Sequence, residues 1–220
     1  LFGYDLKDYE ALFDEKLDLL QLANESTKVN WQGQLTQSIA GKEVYPRPVQ
    51  GKLPLWVATG GHVESTVKIA RAGLPIVYAI IGGNPRYFKK LIQAYREIGR
   101  EAGHAGKDLK VGTHSWGWIA EDGDQAVKDY FHPTKQIVDT ISKDRPHWQE
   151  LTYEQYLEQV GPNGAMFVGN PDQVAEKLIR MIEDLDLDRF MLHLPLGSMP
   201  HGQVLRAIEL FGTQVAPKIR

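Results

Sequence analysis

The chain of 220 residues carries 25 Lys and Arg against 28 Asp and Glu, a formal net charge of −3, with 42% hydrophobic and 24% charged residues. That is the composition of an ordinary globular protein, and its near-neutral balance argues against a nucleic-acid binder. The absence of cysteine excludes a disulfide framework and any thiolate metal site. No apolar run approaches the roughly 20 residues of a membrane span, so a cytoplasmic protein with no membrane partner is expected. A single domain over 1–220 is expected at this length. Leu1 reads as an internal position, which points to a longer natural chain.

Residues 5–23 read as an amphipathic helix: Asp5 can cap it, and Leu6, Tyr9, Leu12, Phe13, Leu17 and Leu20 recur at helical spacing. Asn24 is the expected stop. Residues 25–50 read as an excursion with short β pieces near Lys28–Gln32, ending in Tyr45-Pro46-Arg47-Pro48, which cannot continue a helix. From residue 53 the texture becomes strand, glycine, helix. Leu55–Ala58 is a short apolar run suited to a buried parallel strand, followed by Thr59-Gly60-Gly61-His62 and a helix closed by Gly73. Leu74–Ile81 is a second strand ended by Gly82-Gly83, and Pro85 stands at N1 of a helix running to Ala102. Leu109–Ala120 is a third strand. Residues 118–188 read as a helical insertion before the last strand, Phe190–Leu194, with a good helix start at Asn170-Pro171-Asp172-Gln173. Within it, residues 131–163, with Pro133, Pro146, Trp148 and Gly161, read as the least regular part and as a lid. A final helix over 201–211 ends before Gly212. Alternating β and α units imply a parallel sheet, either doubly wound or part of a (β/α)8 barrel.

The sharpest local signal for chemistry is Thr59-Gly60-Gly61-His62-Val63-Glu64-Ser65. The free N–H groups of a helix start, with the Ser65 hydroxyl, can hold a phosphate where glycine lets the backbone approach. The alternative is a tight turn with Gly60 at positive φ and nothing bound. Gly82-Gly83-Asn84 repeats the arrangement at the same end of the sheet, again as a ligand loop or as turn chemistry. His114 and Trp116 near the end of the third strand, and His193 at the end of the fourth, are either packed core or ligand-facing. The scattered histidines offer no metal-ligand spacing, so no metal is expected. The acidic run Glu183–Asp188 reads as a solvated helix end.

Taken in order, Tyr45–Gln50, Leu53–Gly61, Gly73-Leu74-Pro75, Ile80–Gly83, Val111–Ser115, Gly164–Gly169, Asp188-Arg189-Phe190, Pro200-His201 and Ile208–Gly212 resemble the luciferase-like flavin-dependent monooxygenases. The resemblance implies an α/β fold of the (β/α)8 TIM-barrel type, with this chain supplying its second half, strands five to eight. It implies FMN as cofactor, with Gly61, His62 and Ser65 at the phosphate and Gly60 shaping the turn. Ala79 and Ile80 would pass under the isoalloxazine ring, and by their position at the end of the seventh strand His114, with Trp116, would line the flavin or substrate cavity. Where the family often has a serine, this chain has His62. The implied reaction oxygenates a small organic substrate with reduced FMN and O2. NAD(P)H would be the electron source, and a flavin reductase a partner. A deazaflavin-dependent hydride transfer and a non-catalytic flavin-binding remnant are the rival readings. Catalytic residues are not assigned, because the family draws many of them from the first four strands. A half barrel would leave Val57, Val77 and alternate residues of Val111–Gly117 bare, so either a homodimer or an amino-terminal half is expected to cover them.

Overall fold

A computed structural model describes residues 3–145 and 148–219. The chain divides into two compact units, Leu1–Leu55 and Trp56–Arg220, where the sequence reading takes it as one domain.

In the first unit, Asp5 caps a short 3-10 turn, Leu6–Asp8, by accepting the Lys7 N–H at 2.9 Å. Helix α1 (Tyr9–Glu25) follows, and strands β1 (Lys28–Trp31) and β2 (Ile39–Glu43) pair antiparallel. Asn24 does not stop the helix. Its side-chain amide instead clamps the Leu53 backbone, donating to its carbonyl and accepting its N–H at 2.9 and 2.8 Å. The helix end is met by the Arg47 guanidinium, which donates to the carbonyls of Ala23 and Asn24 at 2.8 and 2.6 Å, groups that a helix terminus leaves unpaired. At the other side of α1, the Glu15 carboxylate accepts the N–H groups of Gln34, Leu35 and Thr36 and the Thr36 hydroxyl. Those bonds, the hydroxyl first, hold its pKa below the usual carboxylate value. Only Leu12 of the expected apolar stripe is buried; Leu6, Tyr9, Phe13 and Leu20 are exposed.

The second unit is a parallel sheet with helices following its strands. Its strands are β3 (Val57–Thr59), β4 (Ile76–Ala79), β5 (Val111–Ile119), β6 (Phe167–Gly169) and β7 (Arg189–His193). They run in the order β3-β4-β5-β6, and β7 pairs with β5 as well. Its helices are α2 (Val63–Arg71), α3 (Lys89–Glu101), α4 (Gly123–Asp144), α5 (Tyr153–Val160), α6 (Pro171–Leu185) and α7 (His201–Leu210). Pro85 does open a helical segment, but as a 3-10 turn, Pro85–Phe88, before α3.

Register decides which side chains share a face. Val57 pairs with Ile76 and Ile76 with Val111, then Thr59 with Tyr78 and Tyr78 with Thr113. The Tyr78 hydroxyl lies 3.2 Å from the Thr66 hydroxyl of α2, so this is the helix-covered face. Val57 therefore belongs to the core and not to the bare face. Val77 is on the opposite face, as expected, yet it too is buried. Trp56 packs across Gly112 beside it, and the Arg189 guanidinium lies 4.5 Å from the Trp56 ring centroid.

The stretch 118–188 is not purely helical. It contains β6, which pairs Phe167-Val168-Gly169 with Gly117-Trp118-Ile119 at the far end of β5. Its middle is more helical than expected: α4 continues through Pro133 to Asp144, and α5 begins with a capping box between Thr152 and Gln155, although the described residues between them, 145 and 148–152, form no regular element. Pro146 lies outside the described residues. No helix among the described residues is long and apolar enough to cross a membrane.

Candidate functional site

The two glycine loops differ in how their backbone groups are satisfied. After β3, the buried Thr59 hydroxyl accepts the Gly61 N–H at 3.3 Å. Gly61 takes φ +100°, and a Cβ there would lie 2.7 Å from the Phe88 ring. The positive φ thus falls on Gly61, and not on Gly60 as in the alternative of a tight turn with nothing bound. Phe88, from the turn after β4, closes over Gly61 and leaves Gly60 open, with nothing within 4 Å of a Cβ. His62 is extended and its carbonyl accepts the Thr66 N–H and hydroxyl at 3.1 and 3.0 Å, which starts α2. The His62 side chain makes no capping bond, so the first turn of Val63, Glu64 and Ser65 begins without the usual side-chain acceptor. His62, Val63 and Glu64 are exposed and Ser65 is half-buried. The Glu64 carboxylate already favours the positive end of this helix, and it would oppose a second anion placed close to it.

The loop after β4 closes on itself. Gly83 takes φ +75°, and the Asn84 side chain accepts the Arg86 N–H at 3.0 Å, capping the 3-10 turn. Here turn chemistry accounts for the glycines. Before it, Ala79 is half-buried and pairs with His114. Ile80 is fully buried; its N–H donates to the His114 carbonyl at 2.9 Å, and its carbonyl accepts the Ser115 hydroxyl at 2.9 Å. By strand alternation its side chain joins Tyr78 on the helix side, so at this strand end Ala79 is the residue on the open face.

Across that face stand His114 of β5 and His193 at the end of β7, with ring centroids 5.5 Å apart. Burial first, and then the charge of His193, hold the His114 pKa below the ordinary histidine value. One step further along β5, Trp116 is 5% exposed and meets Trp148 at 6.5 Å between centroids. Of the expected residues, Gly60, Gly61, His62 and Ser65 thus share one turn, while Ala79 and His114 are neighbours in the sheet. The closeness of His193 to His114 escaped the sequence reading, because it depends on β7 pairing directly with β5. Both histidines sit at strand ends in the sequence, but only register puts them on one face.

Among the described residues, no three His, Asp or Glu side chains converge in a way that could hold a metal. The acidic run is a largely exposed helix end, as expected, whose carboxylates also tie to neighbouring elements: Asp184 pairs with Arg86 at 2.9 Å, Asp186 pairs with Arg96, and Asp188 accepts the Val111 N–H at 2.8 Å.

The profile of the luciferase-like monooxygenase family matches residues 1–188. The protein y4vJ of Sinorhizobium fredii (strain NBRC 101917 / NGR234) is 21% identical over 229 residues, covering 100% of this chain; the chain spans 64% of that curated relative. Among solved structures, the monooxygenase RslO1 from Streptomyces bottropensis superposes with a TM-score of 0.81 at 19% identity, over 100% of this chain and 64% of its own. An F420-dependent secondary alcohol dehydrogenase, in complex with an F420-acetone adduct, gives 0.66 at 18%, over 100% of this chain and 65% of its own. The oxygenating constituent of 3,6-diketocamphane monooxygenase from Pseudomonas putida, in complex with FMN, gives 0.62 at 18%, over 99% and 65%.

Proposed function

Because the chain belongs to the luciferase-like monooxygenase family, we propose that it forms the flavin-holding side of an FMN-dependent monooxygenase acting on a small organic substrate. The observation that carries this reading is the contrast between the two loops: the turn before α2 starts without a side-chain cap, whereas the turn before α3 is capped by Asn84. A phosphate is the acceptor that the first turn of α2 suits, with the Ser65 hydroxyl beside it. Gly60, with open space around it, lets the group approach. The isoalloxazine ring is assigned to the open face at Ala79.

In this reading β3, β4, β5 and β7 supply strands five to eight of a (β/α)8 barrel, with the short β6 an addition at the far end of β5, and the additional length seen in the relatives supplies the rest. Reduced FMN, with electrons from NAD(P)H directly or through a reductase, supplies the two-electron chemistry that with O2 oxidises the substrate. The residues of this chain bind and orient. Thr59 fixes the Gly61 peptide, Phe88 holds the turn in shape, and α2 directs its N–H groups at the anion. Trp116 and Trp148, whose rings meet beyond His114, keep water from that end of the open face, as such chemistry requires.

A second reading, hydride transfer with the deazaflavin F420, is favoured by the fold shared with the F420-dependent alcohol dehydrogenase. Titration with FMN and with F420, followed by NAD(P)H-dependent oxygen uptake, decides between them. FMN binding with oxygen uptake in the presence of substrate is the expected result. Binding of F420 alone, with no oxygen consumed, would replace the first reading by the second.

A further inference from the structure

The face of the sheet that carries Ala79 also carries two imidazoles. Register pairs Ala79 with His114 and His114 with Met191, and two residues on it pairs Trp116 with His193. Paired residues of parallel strands project to the same side. The His114 and His193 rings are 5.5 Å apart and inclined by 39°. Their access to water differs: His114 is half-buried, and His193 is exposed. Around His114, β4 presents Ala79, β5 presents Gly112 and Trp116, and β7 presents Met191 and, two residues earlier, Arg189. The Arg189 guanidinium is engaged over Trp56, which leaves His193 as the ionisable neighbour whose charge His114 feels.

A half-buried ring set beside a more exposed one can move a proton between solvent and an enclosed point. Two imidazolium ions at this separation repel each other, whereas one charged and one neutral ring coexist without penalty. We propose that His114 and His193 act as a proton-transfer pair, His114 taking a proton from an O–H of the substrate held on this face beside the flavin ring, and His193 passing it to solvent. The substrate O–H breaks as the proton moves to the His114 imidazole, then to His193 and to water, so that one proton leaves per turnover and both rings end in the state in which they began. The substrate end of this path rests on the flavin reading above; the pairing of the two rings does not.

The test has two arms on the full protein. The first needs no flavin: the imidazole signals of His114 and His193 are titrated by NMR in wild type, His193→Gln and His193→Lys. Removing the His193 charge should raise the His114 midpoint, and lysine should keep it low. A His114 midpoint that does not move in His193→Gln overturns the pair. The second arm is kinetic. His114→Gln should cut kcat about 100-fold or more, within the usual range for a lost acid or base, with FMN affinity unchanged. His193→Gln should move the acid limb of the kcat profile to higher pH. Loss of FMN affinity in parallel with kcat, or an unmoved acid limb, overturns the assignment of the pair to catalysis. A wild-type protein that binds neither FMN nor F420 while the first arm succeeds overturns the flavin reading and the substrate end of the path, and leaves the coupled rings established.

Discussion

Gly61 is the residue on which the proposed phosphate turn depends. Its φ of +100° lies where L side chains are strained, and the Phe88 ring fills the space a Cβ would need. A branched side chain therefore meets a backbone penalty and a steric one together. Gly61→Val should destabilise the protein by about 1–3 kcal/mol, the usual cost of such backbone strain, and should abolish flavin retention. Gly60→Ala, at an open position outside the left-handed region, should leave the melting temperature within error of wild type. Thermal unfolding with the flavin absorbance of the purified variants reads both. A Gly61→Val protein that keeps wild-type stability and flavin would remove this turn from the site. The glycine pair was legible in the sequence as the turn between a strand and a helix, because a strand run followed by two glycines and a helix start calls for one. Which glycine carries the positive φ was not, since that is set by Phe88, 27 residues away.

At the scale of elements, the least expected feature is the tie between α5 and α6. Lys177 of α6 is 9% exposed, and its ammonium donates to the carbonyls of Val160, Gly161 and Met166 at 3.0, 2.6 and 2.7 Å. Two of these oxygens belong to the end of α5, where carbonyls lack helical partners and the dipole is negative. Burial nonetheless pushes the Lys177 pKa down from 10.5 to about 7. Between those values the unfolded chain binds a proton that the folded protein has released. Unfolding free energy should therefore rise with pH from about 7 to 10.5, by at most about 1.4 kcal/mol per pH unit from this group. In Lys177→Met that slope should vanish, and the orphaned carbonyls should cost about 1–3 kcal/mol near neutral pH. Urea denaturation across this window measures both, and an unchanged slope in the variant would show that Lys177 stays protonated throughout.

The same region shows what local pattern conveys and what it does not. The start of α6 was readable because Asn170, Pro171 and Gln173 each satisfy a helix terminus through nearest neighbours. Strand β6 was not, because three residues that pair only with the far end of β5 owe their conformation to that partner. Pro133 also misled. Proline is a poor mid-helix residue, yet α4 runs through it, with the stacked Trp118 and Tyr130 rings just before it supplying packing from β5. The stripe on α1 had the right period for a buried face, but period alone does not supply the surface that covers it.

For the molecule as a whole, β3 pairs only with β4, and β7 only with β5, among the described residues. Each therefore presents an open side to a further strand. Ala58, Arg189 and His193 on the open face are exposed, although Val77 and Trp116 are not. The bare surface is smaller than a simple half barrel would leave, because Trp56 and Arg189 fold across its lower part. It still offers two strand edges, so the 220 residues alone should sediment as a dimer or larger species, and a cooperatively unfolding monomer would count against the half-barrel reading. The central claim, however, is that the uncapped start of α2 holds a flavin phosphate. Calorimetric titration of the protein with FMN and with riboflavin, which differ only by that phosphate, tests it most directly. The account predicts that FMN binds at least about tenfold more tightly, a difference of about 1.4 kcal/mol, and that raising the salt concentration narrows the gap. Equal affinities for FMN and riboflavin would contradict it.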